Sequence, residues 1–178
     1  MESYHSVAEL EAAVGQEIGP TDWFEIDQQR VNGFADDTED HQWIHIDPER
    51  AAKGPFGAPV AHGFLTLSLI PYLSSQLRTV DNVAMGVNYG LDRVRFPTPV
   101  RVGRRIRARA TIQSLDRLSD EAVHLVTRVT IEVEGSDKPA CVADMVSRYY
   151  FNAPAQAPAP AEAEAPAEAE APAPAAGS

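Results

Sequence analysis

Ala61-His62-Gly63-Phe64-Leu65-Thr66-Leu67-Ser68-Leu69-Ile70-Pro71 contains the longest strongly apolar run of the chain, Phe64 to Ile70, and its reading decides the fold. The stretch predicts a helix from about His62 to Gln76. On it Phe64, Leu65, Leu67, Leu69, Ile70 and Leu73 cover most of the circumference. A helix that is apolar nearly all round packs inside a protein. Pro71 lacks an N–H and clashes with the preceding turn, so it kinks this helix or ends it early. The run is far too short to span a bilayer.

Downstream the pattern changes. Arg104 to Leu118, Ala122 to Val133 and Pro139 to Phe151 are rich in Val, Ile, Thr and aromatic residues. Turn signals at Ser119-Asp120 and Gly135-Ser136-Asp137 separate them, and a further strand is expected within Asn82–Phe96. Short connections between consecutive strands predict an antiparallel meander. One apolar helix and one long antiparallel sheet give an α+β domain in which the sheet wraps the helix.

Upstream, Ser6 is placed to cap a short helix over Val7–Ala13, and Asp22–Asp27 alternates as a strand does. Asp27 caps a second helix running through Val31 and Phe34 to about Asp37. Thr38–Asp47 is polar and reads as a structured loop. Asp47-Pro48 then starts a helical turn, and Gly54-Pro55-Phe56-Gly57-Ala58-Pro59 is a tight connection.

The chain has 178 residues, 44% of them hydrophobic, enough for one domain over residues 1–152. Residues 153–178 are almost entirely Ala, Pro and Glu, with no aromatic or β-branched residue. Such a segment cannot offset the entropy of ordering, so it reads as a disordered acidic tail. Four of its residues, Glu162, Glu164, Glu168 and Glu170, contribute to a net charge of −11. The acidic remainder argues against general nucleic-acid binding. Seven of the 15 Lys and Arg nevertheless fall between Arg93 and Arg109. They are either strand residues turned to solvent or a local anchor for phosphates. The lone Cys141 sits in an apolar run and reads as a small buried hydrophobe. The N-terminus shows no basic segment followed by an apolar one, so the expectation is a cytoplasmic protein without a membrane partner.

Two constellations can carry chemistry. In Glu39-Asp40-His41-Gln42-Trp43-Ile44-His45, a carboxylate and an imidazole five residues apart can converge across a turn. Together they can hold a water, take its proton and deliver another, and imidazole titrates in the right range. The same spacing also suits an ordinary polar loop, or a metal site built from Asp40, His41 and His45. In the second constellation Gly63 opens the apolar helix. The first N–H groups of a helix lack internal partners and carry partial positive charge, so one of them can polarise a carbonyl. Gly63 equally suits plain tight packing, and His62 reads as structural.

Together these residues resemble the MaoC-like, (R)-specific enoyl-thioester hydratase family. Its motif runs Gly-Asp-x-Asn-Pro-Leu-His, followed by Ala/Val-His-Gly at the start of the central helix and a Ser six residues after that His. The matching positions are Asp40, His45, His62, Gly63 and Ser68, and Val94–Gly103 is similar to the family's turn into the sheet. The wording is nearest to (3R)-hydroxyacyl-thioester dehydratases and to a nodulation protein N-like subgroup. Glu39, Gln42 and Trp43 depart from the motif's Gly, Asn and Pro.

The resemblance implies a single hotdog fold and reversible hydration of a trans-2-enoyl thioester. It makes Asp40 and His45 the proton-handling pair and Gly63 N–H the oxyanion donor. Ser68, Gln42 and His62 would support the pair, and Trp43 would shape the pocket. Arg93, Arg95, Arg101 and Arg104 are candidates for the carrier phosphates. No metal or redox cofactor is implied; coenzyme A or acyl carrier protein enters only as the substrate's carrier. A homodimer is expected. A hotdog thioesterase and a non-catalytic acyl-thioester-binding protein are the competing readings.

Overall fold

The computed structural model describes residues 1–152; the Ala/Pro/Glu tail expected at 153–178 lies outside the described residues. The chain begins with β1 (Glu2–Tyr4), α1 (Val7–Ala12), β2 (Glu17–Ile18), β3 (Phe24–Glu25) and α2 (Gln28–Thr38). Four short helices follow: α3 (Trp43–Ile46), α4 (Pro48–Ala52), α5 (Gly63–Ser68) and α6 (Ile70–Ser74). Strand β4 (Arg78–Val80) leads into β5 (Val83–Arg95), β6 (Arg105–Ser119), β7 (Ala122–Val133) and β8 (Cys141–Phe151). The expected caps form: Ser6, Asp27 and Asp47 each accept a backbone N–H of the helix they precede.

The main sheet has the order β2-β6-β7-β8-β5, and β3 also pairs with β6. Strands β6, β7 and β8 form the expected antiparallel meander. β5 does not continue it in chain order. It crosses to the far edge and pairs antiparallel with β8. This is the α+β hotdog arrangement: α5 and α6 lie in the curl of the sheet. Leu65, Leu69, Ile70 and Leu73 pack there against Ile106, Ala108, Val129, Ile131 and Met145.

Strict alternation builds that curl. On β7, Val123, Leu125, Thr127, Val129, Ile131 and Val133 are buried while the residues between them are not. On β6 the inward set is Ile106, Ala108, Ala110 and Ile112, and the outward set includes Arg105, Arg107 and Arg109. These three arginines pair with Glu134, Glu132 and Glu17 across the sheet. Three of the seven basic residues of the cluster therefore form a solvent-side ion-pair ladder. Cys141 is fully buried, and burial pushes its thiol pKa up to about 11.

The central helix departs from its sequence reading in two ways. It divides at Leu69, just before Pro71, into two short helices. It is also not buried all round: Phe64, Ser68 and Tyr72 are exposed, an i, i+4, i+8 stripe. Among the described residues no helix is long and apolar enough to cross a membrane.

Candidate active site

Helix α2 ends at Thr38, and Glu39 closes it in a left-handed conformation (φ 58°) that turns the chain toward Asp40. The next residues form the single helical turn α3, where a loop was expected. His45 N–H donates to Gln42 O at 2.9 Å, and Asp47 N–H donates to Trp43 O. That turn places His45 on its inner side, 7% exposed.

The His45 ring is held from below. Its Nδ1 lies 2.6 Å from Val60 O. A carbonyl only accepts, so Nδ1 carries the proton and Nε2 presents a lone pair. Gln28 Nε2 donates to His45 O at 2.8 Å and ties α2 to the same turn. His62, 2% exposed, stacks on His45 with centroids 3.7 Å apart, and Phe34 lies 5.0 Å away from it. His62 Nε2 donates to the backbone carbonyl of Asp40 at 2.9 Å. His62 thus supports both members of the pair. Burial pushes the His45 pKa down; the Val60 carbonyl and Asp40 pull it up, His62 pushes it down, and the net shift is downward.

One polar atom each from Asp40, His45 and His62 lies within 4.8 Å of the others. His41 does not join them; its Nε2 bonds Asp36 Oδ1 on α2 at 3.0 Å. A bound cation needs lone pairs converging at about 2 Å. Two imidazoles stacked face to face present their in-plane lone pairs side by side, so this donor set does not fit a metal.

The resemblance joins Gly63 to this group, and the structure brings it to His45. Gly63 begins α5 and lines a cavity of about 370 Å³ together with His45, Ile44, Thr66 and Phe96. A Cβ on Gly63 would come within 3.1 Å of the Phe96 ring, so glycine is what lets that ring lie across the helix start. Close packing and an open N–H are both served by the same residue.

Three expected neighbours are elsewhere. Ser68 does not support the pair; it lies on the exposed stripe and its Oγ donates to Phe64 O at 2.7 Å. Two residues earlier the helix turns inward, and Thr66 takes the cavity position. Trp43 does not shape the cavity either. Its ring packs on Gly54 and under Arg50, 4.4 Å from the guanidinium carbon, and Ile44 faces the cavity instead. Gln42 is exposed, and its backbone carbonyl supplies the support described above. Of the four arginines, Arg101 and Arg104 line a cleft of about 320 Å³ that shares Thr98 and Pro99 with the cavity of His45 and Gly63. Arg93 sits in a bulge of β5 and Arg95 donates to Val94 O, both outside these two cavities.

Gln28, Thr66 and Phe96 are site residues that sequence reasoning missed. Only Thr66 left a signal, as the hydroxyl one turn after His62 in an otherwise apolar run.

The family model described as "MaoC like domain" matches residues 9–134. The chain belongs to the MaoC-like domain family. This MaoC-like chain is 53% identical over 149 residues to "3-hydroxyacyl-thioester dehydratase Z" of Mycobacterium tuberculosis, covering 84% of this chain and 99% of that one. It is 41% identical to "Nodulation protein N" of Rhizobium leguminosarum bv. viciae, over 83% of this chain and 92% of the other. Among solved structures it is similar to the "(R)-hydratase from A. caviae involved in PHA biosynthesis", with a TM-score of 0.58 at 27% identity. That match covers 75% of this chain and 94% of the other.

Proposed function

We propose that this MaoC-like domain catalyses reversible addition of water to a trans-2-enoyl thioester, giving the (3R)-3-hydroxyacyl thioester. One observation carries the mechanism. The Val60 carbonyl fixes the His45 tautomer so that Nε2 keeps its lone pair, a carboxylate oxygen of Asp40 lies within 4.8 Å of an imidazole nitrogen of His45, and His45 lines one cavity with Gly63. The names of the relatives, a thioester dehydratase and an (R)-hydratase, support the same reaction class.

In the hydration direction a water accepts a place between Asp40 and His45. As its oxygen bonds C3, His45 Nε2 takes its proton. Electron density moves from the C2–C3 double bond onto the thioester oxygen, which the Gly63 N–H stabilises. The protonated His45 then returns the proton to C2, and Asp40 holds the water and the imidazolium through its charge. Atoms balance: hydroxyl on C3, hydrogen on C2. No metal or redox cofactor enters this reading, and coenzyme A or acyl carrier protein serves only as carrier. Arg101 and Arg104 are the arginines placed to meet its phosphates. The site is cytoplasmic in this reading, because acyl thioesters of these carriers are made and used inside the cell.

The test is hydration of crotonyl-CoA and longer trans-2-enoyl-CoAs, followed by loss of the conjugated absorbance and chiral analysis of the product. Turnover to the (3R) alcohol is expected. Release of free thiol would instead mark a thioesterase, and binding of acyl-CoA without turnover at any chain length would mark a non-catalytic binder; either result overturns the proposal.

A further inference from the structure

Two further clefts lead outward from the cavity of His45 and Gly63. Thr98 and Pro99 line both that cavity and the cleft of Arg101 and Arg104. Val133, Gly135 and Ser136 line both that cleft and a third, of about 490 Å³, on the outer face of the sheet. The three make one trough. None of its lining residues belongs to β5, which forms an edge of the main sheet.

The chemistry of the walls changes along the trough. At its inner end are His45 and Gly63, among apolar side chains such as Phe56 and Val100. Arg101 and Arg104 come next. Both are exposed, and among the described residues neither makes an ion pair. Glu134, which lines the same cleft, is taken by Arg105. The outer end holds Trp23. Strand β3 pairs Phe24 with Ile106, which sets the preceding Trp23 beside Arg107 on the outward side of β6. The guanidinium carbon of Arg107 lies 4.4 Å from the indole centre and that of Arg105 5.9 Å. Trp23 is only half-buried, so this end of the trough has a flat wall of indole and guanidinium. Asp137 and Lys138, on the turn into β8, line it as well. A flat aromatic face stacks any nucleobase, and a guanidinium plane extends such a platform.

We propose that the Trp23 cleft is a purine-nucleotide subsite that takes the 3′-phosphoadenosine end of coenzyme A. This rests on the reading of the His45 cavity as an acyl-thioester site. The order of the walls is the order of groups in an acyl-CoA. The thioester lies at Gly63, the pantetheine arm passes Thr98 and Pro99, the diphosphate meets Arg101 and Arg104, and the adenine stacks on Trp23. Asp137 accepts from the exocyclic amine, and Lys138 meets the 3′-phosphate. Acyl carrier protein presents the same arm without a nucleotide and leaves this end of the trough unused. The carrier that this trough recognises is therefore coenzyme A.

Calorimetric titration of the full chain with 3′-phosphoadenosine 5′-phosphate reads the subsite without any turnover. The wild-type chain should bind it, and Trp23→Leu should bind it about 10-fold more weakly, through loss of one stacked base. Trp23→Phe keeps a smaller ring, should lose part of that affinity, and serves if Trp23→Leu does not fold. In kinetics, the ratio of kcat/KM for crotonyl-CoA to that for crotonyl-pantetheine should fall about 10-fold in Trp23→Leu. Nucleotide affinity or a kcat/KM ratio unchanged in the folded variants overturns the proposal. So does a higher kcat/KM on crotonyl-acyl carrier protein than on crotonyl-CoA. Nucleotide binding that depends on Trp23, in a chain that turns over none of these thioesters, would uphold the subsite and overturn the hydration reaction.

Discussion

At the scale of the residue, the proposed chemistry turns on the His45 ring. Its tautomer is set by one backbone carbonyl, its plane by the stacked His62, and its height by Gln28 on α2. Removing the proposed base or its carboxylate should cost about 10²–10⁴-fold in kcat/KM, so crotonyl-CoA kinetics of His45→Ala and Asp40→Asn should show that loss with the fold retained by circular dichroism. Full rate in both variants would sink the assignment. The downward shift of His45 adds a pH signature. Unfolded histidine titrates near about 6.5 and folded His45 lower. As pH falls through that window the unfolded chain binds the proton first. The His45 contribution to stability is therefore full above about 6.5 and lost below it, and His45→Gln should flatten that slope in urea titrations at successive pH values. The acidic limb of kcat/KM should lie below about 6.5 as well. Asp40 and His45 stood out as a pair five residues apart that equally suited a polar loop, and only the likeness to the MaoC-like motif joined Gly63 to them. The Val60 carbonyl and Gln28 were not legible, since a backbone acceptor leaves no trace in residue type and a lone glutamine none in pattern.

At the scale of the element, turns rather than helices carry the site. Helix α2 must stop where Asp40 can reach His45, and it stops at Glu39 in the left-handed region, where a Cβ costs about 1–2 kcal/mol. The resembled motif has glycine there. Glu39→Gly should therefore raise stability by about 1 kcal/mol, after the extra freedom glycine gains in the unfolded chain is subtracted, and thermal melting would register it. A lower Tm would mean that the Glu39 side chain contributes more than its backbone costs. The central helix shows the limit of pattern reading. Six apolar residues around its circumference implied full burial, yet Phe64 and Tyr72 point outward in the single chain. Hydrophobicity reports that a side chain prefers to leave water, without saying whether its own chain or another one covers it. The same outward stripe explains why Ser68 is out of reach and Thr66 is not. Strand periods were more decisive: β6 and β7 alternate as read, because a period of two leaves one face for the core.

At the scale of the whole molecule, the sheet is unfinished. The meander was legible from short connections, but the crossing of β5 to the outer edge was not, since its partner β8 lies more than 45 residues on in the chain. The charge ladder on β6 and β7 likewise needed the register to separate structural arginines from Arg101 and Arg104. Deleting residues 153–178 should leave kcat/KM for crotonyl-CoA unchanged, because the cavity and its supports all lie within residues 28–140. A larger consequence concerns β5. Among the described residues it bonds only β8, which leaves one row of N–H and C=O groups along its 13 residues without a strand partner there. Every residue from Ala84 to Arg93 is exposed, including Met85, Val87, Tyr89 and Leu91 at 37–56% of their full area. A long apolar edge with so little charge is a template for another strand. Pairing with its own copy about a two-fold axis closes the assembly, satisfies both rows of backbone groups and joins two sheets into one. The homodimer expected from sequence would close on that edge. Analytical ultracentrifugation should find the full chain at dimer mass, and Val87→Lys with Leu91→Lys should return it to monomer by setting like charges along the seam. A wild-type chain sedimenting as a monomer at micromolar concentration would mean that the edge is left open, and the dimer would fall.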